Sequence, residues 1–191
     1  MGKVLLIGGS PMIGKSTVAR RISSMYELQN FSTDDIGEIL QTVVNINPMK
    51  DMNYLEYYEN VEPDVQISDM LKYHKALENA ITKIVSIHSN WGQSMVMEGY
   101  AIYPNILMND NVDAIWLIAS EELLADRVNQ SQAFEAASGR AKENYLKRSI
   151  WHNQFLKEQC KIHNRKYIEL CGQETRDDIV ECIMRMVNIR F

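Results

Sequence analysis

Short apolar runs alternate with longer stretches of helical periodicity along the whole chain. Val4–Ile7 reads as a buried strand, and Ser16–Met25 as the helix that follows it. Gln29–Thr33 is a weaker strand. Over Asp35–Val44 the residues Ile36, Ile39, Leu40 and Val43 share one helical face. Asn45–Pro63 breaks pattern and reads as a loop-rich insertion. Ser68–His88 then carries Met70, Tyr73, Leu77, Ile81, Ile84 and His88 at spacings of three or four, one apolar stripe of a long helix.

Ser94–Met97 and Ala114–Ile118 are two more buried strands, and Lys166–Leu170 is a fifth. Ser120 offers an N-cap with Glu121 and Glu122 in the first turn, where the helix dipole favours acids. That helix is expected to reach Ala137 and stop at Ser138-Gly139. Another covers Lys142–His163, and Thr175 caps the last one. Five strands separated by helices predict an α/β fold: a five-stranded parallel sheet between two helical layers. The 191 residues fit a single domain, 1–191. Two excursions exceed simple crossovers, an insertion over about residues 45–90 and a helical segment over about 120–163. Both follow strand carboxyl ends, where open parallel sheets bind ligands, so both are expected to close on a substrate.

The sharpest motif is Gly9-Ser10-Pro11-Met12-Ile13-Gly14-Lys15-Ser16, which fits G-x-x-x-x-G-K-[ST] at every fixed position. It follows a strand directly and opens a helix directly, the context the motif requires. Its glycines let backbone amides turn inward on an anion. The helix start adds its positive end, Lys15 reaches the outer phosphates, and the Ser16 hydroxyl serves Mg2+. ATP and Mg2+ are the expected cofactors, bound over Gly9–Thr17. No N-K-x-D guanine reader is present.

Two more strand ends carry acids: Ser32-Thr33-Asp34-Asp35 and Met97-Glu98-Gly99-Tyr100. Phosphoryl transfer needs a hydroxyl oriented and relieved of its proton, and acids to hold the metal's waters. Asp34 is expected in catalysis. Asp34, Asp35, Glu98 and Gly99 are expected at the substrate, with one of the two aspartates also capping the helix.

At these residues the chain resembles a family. GGSPMIGKST, STDD and MEGYAIYP look like the archaeal-type 2-phosphoglycerate kinases and their small P-loop kinase relatives. Glu122–Arg127 is similar to the lid entrance of nucleoside monophosphate kinases. The resemblance covers about residues 3–40 and 93–130. It implies a P-loop NTPase fold of the nucleotide-kinase type, with a helical lid and an ATP-dependent kinase activity on a small metabolite. It also implies that Arg127 lies against the adenine. Two positions differ from the family pattern: Gly37 stands where an arginine usually holds an acidic substrate, and Ser131 where a second lid arginine is common.

Arg140, Lys142, Lys147 and Arg148 cluster around the Ser138-Gly139 break. A glycine hinge there could swing Arg140 or Arg148 onto the transferring phosphoryl group. Trp151, Phe155 and the tyrosines Tyr54, Tyr57 and Tyr58 are expected to pack, and His152, with no ligand partner at metal spacing, is expected to be an exposed or core histidine.

Composition narrows the partners. Lys+Arg 20 against Asp+Glu 25 gives a net charge of −5. That argues against nucleic acid or an anionic membrane surface as partner. No apolar run approaches the roughly 20 residues of a membrane span. The three cysteines Cys160, Cys171 and Cys182 suit a reducing cytoplasm. The expected protein is a cytoplasmic monomer or homodimer phosphorylating a small, anionic acceptor, with a 2-phosphoglycerate-like molecule as the candidate that the resemblance implies. The alternatives are a nucleoside or nucleotide kinase, or a P-loop switch without enzymatic activity.

Overall fold

The computed structural model describes residues 1–49, 52–106, 108–188 and 191. The elements in chain order are β1 (Val4–Gly9), α1 (Lys15–Tyr26), β2 (Gln29–Ser32), α2 (Thr33–Gln41), α3 (Tyr54–Asn60), α4 (Pro63–Asn90), β3 (Met95–Gly99), β4 (Val112–Ala119), α5 (Glu121–Gln130), a 3-10 turn (Gln132–Phe134), α6 (Gly139–Ile162), β5 (Tyr167–Leu170) and α7 (Arg176–Met186). The strands form one parallel sheet in the order β2-β3-β1-β4-β5. All five expected strands are present, and β1 sits at the centre.

Alternate residues of the central strands face opposite helical layers. Val4, Leu6, Met95, Met97 and Trp116 pack with Leu77 and Ile81 of α4 and Leu156 of α6. Leu5, Ile7, Val96, Ile115 and Leu117 pack with Val18 and Ile22 of α1, Leu124 of α5 and Ile183 of α7. Both faces of the central strands are therefore dry, which is why these strands read as continuous apolar runs. Each fully buried aliphatic side chain of this kind contributes about 2 kcal/mol.

Several boundaries differ from the sequence expectation. The insertion is not all loop: it contains α3, opened by a reciprocal capping box between Asn53 and Glu56. α4 starts at Pro63, five residues before the expected Ser68, because proline fits the first helical position and Asp64 follows it in the first turn. α2 starts earlier as well. Its N-cap is Ser32, whose hydroxyl accepts from the Asp34 amide, so neither aspartate caps the helix. Of the expected α2 face, Ile36 is buried and Leu40 partly so, while Ile39 and Val43 are exposed.

The expected helix from Ser120 to Ala137 stops at Gln130, where Ser131 begins the 3-10 turn by accepting from the Ala133 amide. Ser138 then caps α6, accepting from Ala141. α6 is not a free flap. Asn153 holds β4 with two hydrogen bonds, accepting from the Ala119 amide at 3.0 Å and donating to the Ala119 carbonyl at 2.8 Å. Its inner face, including Tyr145, His152, Leu156 and Cys160, is buried. The segment expected as a lid over about 120–163 thus contains one helix anchored to the sheet. A third apolar cluster joins the insertion to the start of α6 through Tyr57, Tyr58, Phe134 and Tyr145. None of the helices among the described residues is long and apolar enough to cross a membrane.

Candidate functional site

The loop between β1 and α1 lies at the carboxyl edge of the sheet. Gly9, Met12 and Gly14 all have positive φ, at 140°, 65° and 94°. This run turns the backbone around a concave centre. Gly9 is also sterically required, because a Cβ there would overlap the Leu117 carbonyl and the Ile13 side chain. Gly14 has open space around it and is needed for its backbone conformation alone. Ser10 and Ile13 are buried beneath the loop; Pro11 and Met12 are partly covered; Ser16 and Thr17 face solvent.

Lys15 is 7% exposed and folds back over the loop, its Nζ donating to the Ser10 carbonyl at 2.7 Å. Burial lowers its ammonium to about 8, against the opposing attraction of Glu98 and Asp34. The Ser16 hydroxyl donates to Glu98 Oε1 at 3.0 Å. Glu98 is 5% exposed near the end of β3, next to Ile7 of β1 in register. Asp34 stands in the first turn of α2 with its surface toward solvent. Partial burial in the cleft raises its carboxyl above the ordinary value; Lys15 opposes that shift, and Glu98 adds to it. Asp35, beside it, is exposed.

Lys15, Ser16, Asp34 and Glu98 therefore come together as the sequence expected. Gly99 has a different task. A Cβ at Gly99 would overlap the Thr33 side chain, so the glycine lets the β2–α2 turn close on β3. The hydroxyl of Ser16 and the carboxylate of Glu98 are hard oxygen donors of the type Mg2+ prefers. Mg2+ takes few protein ligands and keeps phosphate oxygens and waters.

The lid arginines separate. Arg148 is buried, at 7% exposure, with its Nη1 donating to the Tyr58 hydroxyl at 2.6 Å. Its guanidinium lies 5.2 Å and 4.7 Å from the ring centres of Tyr58 and Tyr145. Arg140 is exposed and pairs with Glu62 at 2.8 Å, linking the start of α6 to the start of α4. Arg127 is exposed in the last turn of α5. Gly139 meets no neighbouring atom that a Cβ would crowd.

One turn beyond Arg148, His152 is fully buried with Nδ1 3.4 Å from the Ser10 hydroxyl, so α6 touches the phosphate loop itself. Its ring lies beside that of His74, whose Nδ1 is 2.5 Å from the Tyr103 hydroxyl. Burial, with the charges of Arg148 and Lys15, pushes His74 down to about 3, and burial likewise holds His152 neutral. His152 is thus a core residue.

A pocket of about 130 Å³ opens beside the cleft between α2, α3, α4 and α6. Tyr54, Tyr57, Tyr58, Tyr73 and Tyr100 line it with Glu38, Gln41, Gln66 and Arg148. The tyrosines of the insertion pack, as expected, but they also wall this pocket. Tyr73 and Gly37 meet there: a Cβ at Gly37 would overlap the Tyr73 hydroxyl. Sequence reasoning missed Gln66, Tyr73 and Tyr100 as site residues. The Glu62-Pro63-Asp64 helix start was the available signal for Gln66; the other two carry none. A larger cavity, about 610 Å³, lies elsewhere. It is lined by Lys3, Val112 and Lys166, where β1, β4 and β5 begin. Parallel sheets bind ligands at the opposite edge, where the phosphate loop lies.

No family profile matches the sequence, and no curated protein does. Solved structures do match over nearly the whole chain. A sugar kinase from Janibacter sp. HTCC2649 is 14% identical with a TM-score of 0.61, covering 97% of this chain and 94% of its own. Deoxyadenosine kinase from M. mycoides, with bound dATP, is 14% identical with a TM-score of 0.56 and coverages of 97% and 100%. Shikimate kinase from Bacteroides thetaiotaomicron is 12% identical with a TM-score of 0.55 and coverages of 96% and 96%. The chain has the three-layer P-loop kinase fold that these proteins share.

Proposed function

We propose that the protein is a phosphotransferase that moves the γ-phosphoryl group of ATP to a hydroxyl of a small molecule. The observation that carries this reading is the convergence of Lys15, Ser16, Glu98 and Asp34 on one cleft, with a walled pocket beside it. The phosphate loop would hold the nucleotide over Gly9–Thr17, with Lys15 exchanging the Ser10 carbonyl for phosphate oxygens. Arg127, exposed on α5, is free to lie against the adenine. Ser16, supported by Glu98, would hold Mg2+, which supplies charge neutralisation at the phosphates. The nucleotide-bound kinase and the sugar and shikimate kinases that share the fold support this class of reaction.

Asp34 would take the acceptor proton. Its raised carboxyl stands closer to neutrality than an ordinary aspartate, which suits a base. The acceptor oxygen attacks the γ-phosphorus, its proton passes to Asp34, and the bridging oxygen leaves with ADP. Positive charge for the transferring group comes from Lys15 and Arg148. The surface pair of Arg140 with Glu62 would have to open before Arg140 joined them. A switch without catalysis would need neither the raised Asp34 nor the pocket. A 2-phosphoglycerate-like acceptor finds little support, since the Tyr73 hydroxyl fills the place of the family's acid-holding arginine at Gly37.

The test is label transfer from γ-labelled ATP across a metabolite panel, with Mg-ATP affinity measured by calorimetry. Asp34→Asn is expected to lower turnover about 10²-fold or more while ATP affinity changes little. An unchanged rate would remove Asp34 from the role of base.

A further inference from the structure

The tyrosine-walled pocket limits what the acceptor can be. A dry cavity of about 150 Å³ takes one benzene ring. At about 130 Å³ this open pocket is close to the size of a single ring. Five tyrosine side chains form its walls. Flat apolar faces of this kind suit a flat ring, which aromatic neighbours hold by edge and face contacts.

The polar groups on these walls are mostly taken. The Tyr57 hydroxyl donates to Asp69 at 3.1 Å, and the Tyr58 hydroxyl accepts from Arg148. Asn47 Oδ1 accepts from the Met49 amide, and Gln66 Nε2 donates to the Val61 carbonyl at 2.7 Å. Two buried atoms remain without a partner: Gln66 Oε1 and Arg148 Nε. A buried polar atom left unpaired costs about 1–3 kcal/mol, so both are marked for a ligand. One acceptor and one donor can satisfy a ring edge.

Charge points the same way. Arg148 is the only cation among the described residues lining the pocket, and Glu38 lines it too. The Arg148 guanidinium is held between the Tyr58 and Tyr145 rings, one turn of α6 before His152, which contacts Ser10 of the phosphate loop. With Asp34 and Glu98 at the adjoining cleft and Lys15 committed to phosphate, an anionic acceptor would have Arg148 alone, which already donates to the Tyr58 hydroxyl.

We infer that the acceptor is an uncharged alcohol built on a single flat ring. Its ring lies among the tyrosines, with an N–H or O–H edge donating to Gln66 Oε1 and its hydroxyl arm reaching toward Asp34. This rests on the kinase reading and replaces the small anion that the overall charge suggested. The bond that forms joins the arm oxygen to the γ-phosphorus; the bond that breaks is that to the β–γ bridging oxygen; the proton goes to Asp34.

The experiment offers γ-labelled ATP and Mg2+ with uridine, thymidine and pyridoxine as single-ring alcohols. Adenosine serves as a fused ring, glucose as a non-aromatic ring, and shikimate, gluconate and 2-phosphoglycerate as acids. Mg-ATP affinity is measured in parallel by calorimetry. Transfer to at least one single-ring alcohol is expected, with kcat/KM at least 100-fold above glucose and every acid. For that acceptor, Tyr54→Leu is expected to raise KM about tenfold. Preferred transfer to adenosine, glucose or an acid overturns the ring-alcohol assignment and leaves the kinase reading standing. Intact Mg-ATP binding with no transfer to any probe also overturns it. Absence of Mg-ATP binding overturns the kinase reading itself.

Discussion

The Ser16 hydroxyl and the Glu98 carboxylate, 82 residues apart in sequence, meet at 3.0 Å. The bond joins the phosphate loop to the end of β3 and orients the hydroxyl proposed to serve Mg2+. Glu98→Gln keeps the shape but removes the charge beside Ser16 and Lys15. Nucleotide affinity measured in EDTA is expected to change little. The Mg2+ concentration giving half-maximal turnover is expected to rise about tenfold. A titration of rate against Mg2+ checks this, and an unshifted curve would separate Glu98 from the metal.

Lys15 connects nucleotide binding to pH. Burial brings its ammonium down to about 8, while a bound phosphate chain favours the charged form and raises it again. Mg-ATP binding near pH 8 is therefore expected to take up about half a proton. Affinity should fall as pH rises further, by at most about tenfold per pH unit. In the free chain the sign is opposite. The neutral amine is favoured, so the Lys15 contribution to stability grows as pH rises from about 8 toward 10.5. Calorimetry in buffers of different ionisation enthalpy measures the proton uptake, and Lys15→Met should abolish it. Turnover should fall about 10²–10³-fold in the same variant.

Gly37 and Tyr73 test how the acceptor pocket is built. Gly37→Ala places a Cβ against the Tyr73 hydroxyl, with the ring Cζ 2.9 Å away. Overpacking of this kind costs about 1–3 kcal/mol, partly offset by the better helix propensity of alanine, worth about 1 kcal/mol. Adding Tyr73→Phe removes the hydroxyl but leaves Cζ close. Urea unfolding is expected to show the double variant recovering part of the loss. Strict additivity of the two changes would contradict the contact.

The anchoring of α6 limits what can close over the nucleotide. Its two bonds from Asn153 to Ala119 and its buried inner face hold residues 142–162 in place. With ADP and aluminium fluoride as a transition-state mimic, new hydrogen-exchange protection is expected over residues 121–141. Residues 142–162 should already be protected without it. Equal gains across the whole of 121–162 would restore a lid that moves as one piece.

The sequence by itself determined the phosphate loop, the five strands and the acids at two strand ends. Each is a local signal: a contiguous motif between a strand and a helix, an apolar run, or an acid directly after one. Parallel order then brings adjacent strand ends together, which is why Lys15, Asp34 and Glu98 could be grouped before any coordinates. The choice between Arg140 and Arg148 was not legible. Both lie on one helix in a basic stretch, and only packing against Tyr58 and Tyr145 buries the second while Glu62 draws the first to the surface. Gln66, Tyr73 and Tyr100 were equally silent, because the pocket they line is assembled from α2, α3, α4 and α6. A motif records what neighbours along the chain do to one another. Which side chain fills the space of Gly37, and which buried donor is left unpaired, depends on how separate helices settle on a common sheet, and that is decided by tertiary packing.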